Sequence, residues 1–264
     1  MTDEARAKTD YDGAASDGYA EHRPADPRIA ERIEAALGSA VTVVNVGAGA
    51  GAYEPEGREV VAVEPSAAMR ALRPEGSAPV IDARAEKLPF DDDSFDAAMA
   101  CITVHHWDDV EAGLREMRRV AKGPVVVLTL DLPHHIAWQR DYLRPLFAAE
   151  AARFPTPIEI ASMIGPRAKL QSMHTPIDCQ DGFIDAFWGR PEALLEPNVR
   201  RSQSVWGLVS EEEQAAIVER LRADLESGAW DAEHGHLRTR TDYDGALRIV
   251  VDDPTAALSL PRRI

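Results

Sequence analysis

The residues best suited to chemistry lie in the stretch VVNVGAGAGAYEP, where Gly47, Gly49 and Gly51 follow directly on an apolar run. Glycine suits a sharp strand-to-loop turn and leaves no Cβ in the way of a ligand. Glu64 ends the next apolar run, in VVAVEPS, 17 residues after Gly47. A carboxylate at that place accepts hydrogen bonds from both hydroxyls of a ribose and repels a 2′-phosphate. Together these features predict an adenosine-type ligand at the carboxyl ends of the first two strands. The same loop satisfies GxGxxA through Ala52, so on spacing alone a dinucleotide is an open alternative.

Candidate proton-handling groups come later in the chain. His106, in TVHHWDD, directly follows a fourth apolar run and is the candidate general base, since a neutral imidazole takes a proton from a hydroxyl or an amine. Asp141 and Tyr142, in WQRDYLRP, form a second candidate pair. His105 and His106, and likewise His134 and His135, are adjacent in sequence, so their side chains point apart. No acidic partner has ligand spacing, and no metal is expected. Trp138, Trp188 and Trp206 are candidates for an apolar wall suited to a hydrophobic or aromatic substrate, although core packing explains them equally well.

The elements that must position these residues read as an α/β alternation. The runs at 41–46, 59–63, 79–81, 95–100 and 124–130 are predicted strands, several apolar at nearly every position, as strands covered on both faces are. Asp26-Pro27 starts a helix carrying Ile29, Ile33 and Leu37, which Gly38 closes. Val110, Leu114, Met117 and Ala121 form a second helical stripe, stopped by Gly123. Beyond residue 131 the pattern changes: 132–168 and 180–243 read as mostly helical, and 169–179 and 245–252 as edge strands. Within the second helical stretch 181–195 is helical up to Pro191, and Ser210 with Glu213 forms a capping box ahead of Ile217, Val218, Leu221 and Leu225. Residues 1–10 are expected to be disordered, with 11–264 a single domain divided into a core (11–131) and a cap.

Composition narrows the partners. There are 45 Asp and Glu against 29 Lys and Arg, a formal charge of −16. Such a surface repels phosphate backbones, so neither nucleic acid nor an anionic membrane is an expected partner. Two cysteines, Cys101 and Cys179, make no disulfide framework, and no stretch has the apolar length of a signal peptide or a membrane span. The expected setting is the cytoplasm, with a small-molecule substrate and a monomer or homodimer.

The joint pattern resembles a known family. A GxGxG loop, an acidic residue ending strand two, AEKLPFDDDSFDAAMA running into strand four, then VHHWDD and LREMRRVAK before strand five look like a class I S-adenosylmethionine-dependent methyltransferase of the ubiquinone/menaquinone-biosynthesis-like type. The likeness covers about residues 10–132. It implies a Rossmann-like, seven-stranded, mostly parallel sheet with helices on both faces, a helical substrate cap, and a final antiparallel strand pair at one edge. It further implies S-adenosyl-L-methionine as methyl donor, S-adenosyl-L-homocysteine as product, no metal, and in-line transfer to a small acceptor in secondary metabolism.

By the same likeness Gly47, Ala48 and Gly49 line the methionine part, while Pro65, Ser66 and Met69 flank the adenine. Arg84, Ala85 and Glu86 stand at the adenine edge, Cys101 and Thr103 complete the pocket, and Tyr19 with Arg23 closes over the methionine carboxylate. Two departures stand out: Asn45 where Asp is usual, and Arg84 where an Asp often accepts from the adenine amino group, which leaves the backbone at Ala85 to do so. The rival readings are an NAD-dependent oxidoreductase, which the absence of a Tyr-x-x-x-Lys pair disfavours, and a non-catalytic S-adenosylmethionine-binding protein. RNA methylation is disfavoured by charge.

Overall fold

A computed structural model describes residues 23–151 and 153–255. Tyr19 and the expected disorder of residues 1–10 lie outside the described residues. The strands β1 (Thr42–Val46), β2 (Glu59–Val63), β3 (Val80–Ile81), β4 (Ala97–Cys101) and β5 (Val125–Leu130) follow the predicted runs. With β6 (Lys169–Ser172) and β9 (Leu247–Asp252) they form one seven-stranded sheet in the order β3-β2-β1-β4-β5-β9-β6. Strands β1 to β5 pair in parallel, whereas β9 runs antiparallel to both β5 and β6. This is the Rossmann-like sheet and terminal antiparallel pair that the sequence predicts.

Strand alternation distributes the core to two faces. Val44, Ala98 and Val125 face Leu114 and Met117 of α3 (Val110–Val120) together with Ile160 and Ile164 of α6 (Pro157–Ile164). Val43, Ala97 and Val126 face Ile29, Ile33 and Leu37 of α1 (Pro27–Leu37). Those three side chains are at most 1% exposed, and each full burial stabilises by roughly 1.5–3 kcal/mol. Asp26 caps α1, its carboxylate accepting from the Arg28 N–H at 3.0 Å, and Asp109 caps α3 by accepting from Ala112.

The second half builds a separate apolar cluster around Trp138, Leu143, Leu146, Trp188, Leu221 and Trp230. It includes α4 (Ala137–Tyr142), α5 (Arg144–Glu150) and α8 (Glu211–Ser227). Three expectations are corrected here. The 169–179 stretch is not one strand: β6 ends at Ser172, and Thr175–Pro176 (β7) turns away to pair with Asp242–Tyr243 (β8) in a two-stranded sheet. The 181–195 stretch holds two short 3₁₀ turns, 184–187 and 191–195, rather than an α-helix. Its polar groups are engaged across the fold instead: Asp185 accepts from Ala246 N–H at 3.0 Å and meets His135 Nδ1 at 3.1 Å, and Trp188 donates to the Thr175 carbonyl at 3.0 Å. Third, Trp138, Trp188 and Trp206 belong to the core of the cap and do not form a substrate wall.

Candidate active site

A cavity of about 680 Å³ opens at the carboxyl ends of β1, β2 and β4. In the strand order β1 lies between β2 and β4, so this is where successive connections leave toward opposite edges, the place where open α/β sheets bind ligands. Its volume falls in the range of about 300–1,000 Å³ usual for small-molecule sites. Arg23, Gly47, Ala48, Gly49, Glu64, Pro65, Ser66, Met69, Arg84, Ala85, Glu86, Cys101, Thr103 and His106 all line it.

The glycine loop is pinned to the neighbouring strand, since the N–H groups of Gly47 and Ala48 donate to the Val63 carbonyl at 2.8 and 3.0 Å. Gly47 has φ +70° and Gly49 φ +52°, both in the left-handed region that favours glycine. Gly47 also has no room for a side chain, because a Cβ there would lie 2.3 Å from Thr103 Oγ1. Ile102, in the facing wall, has φ +49°, a conformation that costs a β-branched residue roughly 1–3 kcal/mol and that clusters at functional sites.

Glu64 is 8% exposed and tied on both oxygens: Oε2 accepts from Gly49 N–H at 2.8 Å and Oε1 from Ser66 N–H at 2.9 Å. Burial raises its pKa, and the two N–H bonds oppose the rise. A carboxylate has about four lone-pair sites, so ribose hydroxyls can be accepted alongside these bonds. Replacing Glu64 with Ala is expected to weaken binding of S-adenosylhomocysteine about 10²-fold, because hydrogen bonds to a charged acceptor are worth about 1.5–3 kcal/mol. Calorimetric affinity within about threefold of the parent would show that the ribose is not held there.

The structure explains Asn45. Its amide Nδ2 donates to Glu54 Oε1 at 3.4 Å, and Glu54 is paired with Arg73 at 2.7 and 2.8 Å. Arg73, buried, also donates to the carbonyls of Ala78 and Gly49, at 3.1 and 3.4 Å. An aspartate at 45 would set a second carboxylate against Glu54, whereas the amide supplies a donor. Glu54 and Arg73 thus brace the glycine loop from below, a role that sequence spacing did not reveal.

At the adenine edge Arg84 is exposed and paired with Asp108 at 2.6 Å. Glu86 accepts from the Asp108 and Asp109 N–H groups at 2.7 and 3.1 Å, which fixes the post-β4 loop. Trp107 in that loop packs over Gly113 of α3, where a Cβ would sit 2.5 Å from the indole. Among the cavity residues that escaped the sequence reading are Tyr53, Arg153 and Asp181. Asp181 is 1% exposed and accepts from Arg23 Nε at 2.5 Å and from Tyr53 Oη at 2.8 Å. Burial and the Asp181 charge push the Tyr53 phenol far up, and burial does the same to the Cys101 thiol.

The candidate bases need correction. Tyr142 does not line the cavity; it is buried in the cap, its hydroxyl bonded to Asp224 at 2.6 Å and its ring covered by Arg220 at 4.2 Å. Burial and that bond push its phenol up to about 12. Asp141 is exposed and paired with Arg220. The helix carrying both turns away from the carboxyl end of β5 into the cap. His106 does line the cavity, but its Nδ1 receives an N–H from Arg153 at 3.2 Å, a guanidinium being a donor only. Burial, with the charges of Arg153 and Arg23, pushes its pKa down to about 3. His105, stacked on Phe154 at 3.9 Å, is pushed well below the usual value for the same reasons. Both imidazoles are thus neutral, weak bases near neutral pH, and the Nδ1 of His106 is already engaged. Among the described residues no three His, Cys, Asp or Glu side chains group as a metal site, and no helix is long and apolar enough to cross a membrane.

Comparison with known proteins agrees with this geometry. Residues 44–128 match the family described as methyltransferase domain. A solved structure from Anabaena variabilis, assigned as a methyltransferase of an antibiotic biosynthesis pathway, is 29% identical, with a TM-score of 0.81 over 87% of this chain and 98% of that one. A SAM-dependent methyltransferase of Thermotoga maritima shares the fold at 17% identity, with a TM-score of 0.52 over 85% and 86% of the two chains. A 53-residue stretch is 43% identical to the uncharacterized protein YafE of Escherichia coli K12, spanning 19% of this chain and 26% of that protein. Residues 44–128 thus match a methyltransferase domain, and the sheet order is that of the solved methyltransferases. The glycine loop and Glu64 suit the adenosine part of an S-adenosylmethionine methyl donor.

Proposed function

We propose that this chain methylates a small-molecule acceptor by in-line displacement inside the 680 Å³ cavity. The observation that carries this reading is the make-up of the cavity wall: the glycine loop and Glu64 supply one side, while Arg153 and Asp181 of the second half supply the other. Bound there, S-adenosylmethionine supplies a methyl group activated by its sulfonium. Gly47, Ala48 and Gly49 border its methionine part, Glu64 holds the ribose, and Pro65, Ser66 and Met69 flank the adenine. The backbone at Ala85, with Glu86, stands at the adenine edge in place of a side-chain acceptor. Arg23 and Tyr19 close the methionine end.

Positioning is the protein's main contribution, worth roughly 7–11 kcal/mol when reacting atoms are held in line. The charge of −16 favours a small acceptor over a nucleic acid, and the likeness to the Anabaena protein supports a role in secondary metabolism. The test is thermal. At 100 times its dissociation constant a ligand stabilises by about 2.7 kcal/mol, or roughly 5–10 °C for a chain of this size. S-adenosylmethionine and S-adenosylhomocysteine are expected to produce such a rise and NAD none; the reverse pattern would point to an oxidoreductase.

A further inference from the structure

We propose that the acceptor is a small carboxylate, held by Arg153 and methylated on its carboxylate oxygen to give a methyl ester. This rests on the reading of the cavity as the methyl-transfer site and names the substrate class of that site.

The wall carboxylates all have partners: Glu64 the Gly49 and Ser66 N–H groups, Glu86 those of Asp108 and Asp109, Asp108 the Arg84 guanidinium, and Asp181 both Arg23 and Tyr53. The cationic group beside the histidines is Arg153. Arg153 comes from the cap, is 8% exposed, lines the cavity and stands 3.2 Å from His106 Nδ1. That bond places the guanidinium on the segment that follows β4, and makes His106 its positioning residue. A planar guanidinium matches a carboxylate in shape and charge better than it matches any neutral acceptor.

The second observation concerns protons. Transfer to a hydroxyl or an amine releases one; among the described residues His106 has its Nδ1 lone pair engaged by Arg153, and burial holds His105 well below the usual imidazole range, a weak base. Tyr53 and Cys101 hold their own protons. A carboxylate acceptor is already ionised at neutral pH. Its oxygen lone pair forms the O–CH₃ bond as the S–CH₃ bond breaks, the bonding pair leaving with sulfur. The sulfonium becomes a neutral thioether, the carboxylate a neutral ester, and no proton moves.

The experiment uses the full chain saturated with S-adenosylhomocysteine, titrated calorimetrically with benzoate, cinnamate and octanoate and with the amide of each. At least one acid is expected to bind about 10- to 100-fold more tightly than its amide. That preference should vanish in Arg153→Ala and return in part in Arg153→Lys, with S-adenosylhomocysteine affinity unchanged within about twofold. With labelled S-adenosylmethionine the product should release labelled methanol on mild alkaline hydrolysis. Equal binding of acids and amides by the parent, a preference that survives Arg153→Ala, or a label stable to base overturns the proposal. Failure of the parent to bind S-adenosylhomocysteine overturns instead the reading on which it rests.

Discussion

Gly47→Ala is expected to lower S-adenosylhomocysteine affinity by at least about 10²-fold while leaving a folded protein. Two costs add. The residue sits at φ +70°, where a Cβ costs roughly 1–2 kcal/mol, and that Cβ would stand 2.3 Å from Thr103 Oγ1 and 2.8 Å from Thr103 Cγ2. Overpacking of this kind costs typically 1–3 kcal/mol, relieved only by moving either the loop or Thr103, both of which line the cavity. Gly38→Ala separates the two effects: it has φ +58° and nothing within 4 Å of an added Cβ, at the far end of α1. It should cost stability alone and leave cofactor affinity intact. Pairing Gly47→Ala with Thr103→Ala should recover part of the loss, since the Cγ2 and Oγ1 contacts disappear. If Gly47→Ala binds as tightly as the parent, the ligand does not approach this loop.

A large loss of stability on raising the pH toward neutrality should come from Glu150, at the end of α5. It is 4% exposed, and burial pushes its carboxyl up to about 7, with the charge of Arg153 pulling the other way. In the unfolded chain the group titrates near its usual 4.5, so between pH 4.5 and 7 the folded state binds the extra proton. Stability therefore falls as pH rises through that window, by about 3 kcal/mol in all, at about 1.4 kcal/mol per unit. Glu150→Gln removes the ionisation and keeps the shape. It should match the parent near pH 4.5 and exceed it by about 3 kcal/mol at pH 8, read from urea midpoints at the two pH values. Parallel pH profiles for the two proteins would show that Glu150 does not titrate in a buried setting.

The cofactor half was legible because its signals are local. A glycine triplet at the end of a strand, an acid at the tip of the next, and the Asp26 and Asp109 caps each depend on residues a few positions apart. The other wall was not legible, because Arg153 and Asp181 reach the cavity only once the second half has folded over the sheet. The errors share that origin. Tyr142 read as a pocket residue from its position after β5, yet a helix aimed at the cap carries it to Asp224, 82 residues further along. The 181–195 stretch had helical composition, but Asp185 and Trp188 find partners in Ala246, His135 and Thr175, and those distant bonds outweigh local propensity. Asn45 looked like a loss until Glu54 appeared beside it.

Asp181 has a kinetic consequence. It belongs to the second half of the chain, yet it clasps Arg23, which precedes the sheet, and Tyr53, which closes the glycine loop. One buried carboxylate thus fastens three distant parts of the sequence within the cavity wall. Breaking the clasp, as in Asp181→Asn, is therefore expected to change the rate at which a ligand leaves the cavity more than the loss of its bond to any single segment would suggest.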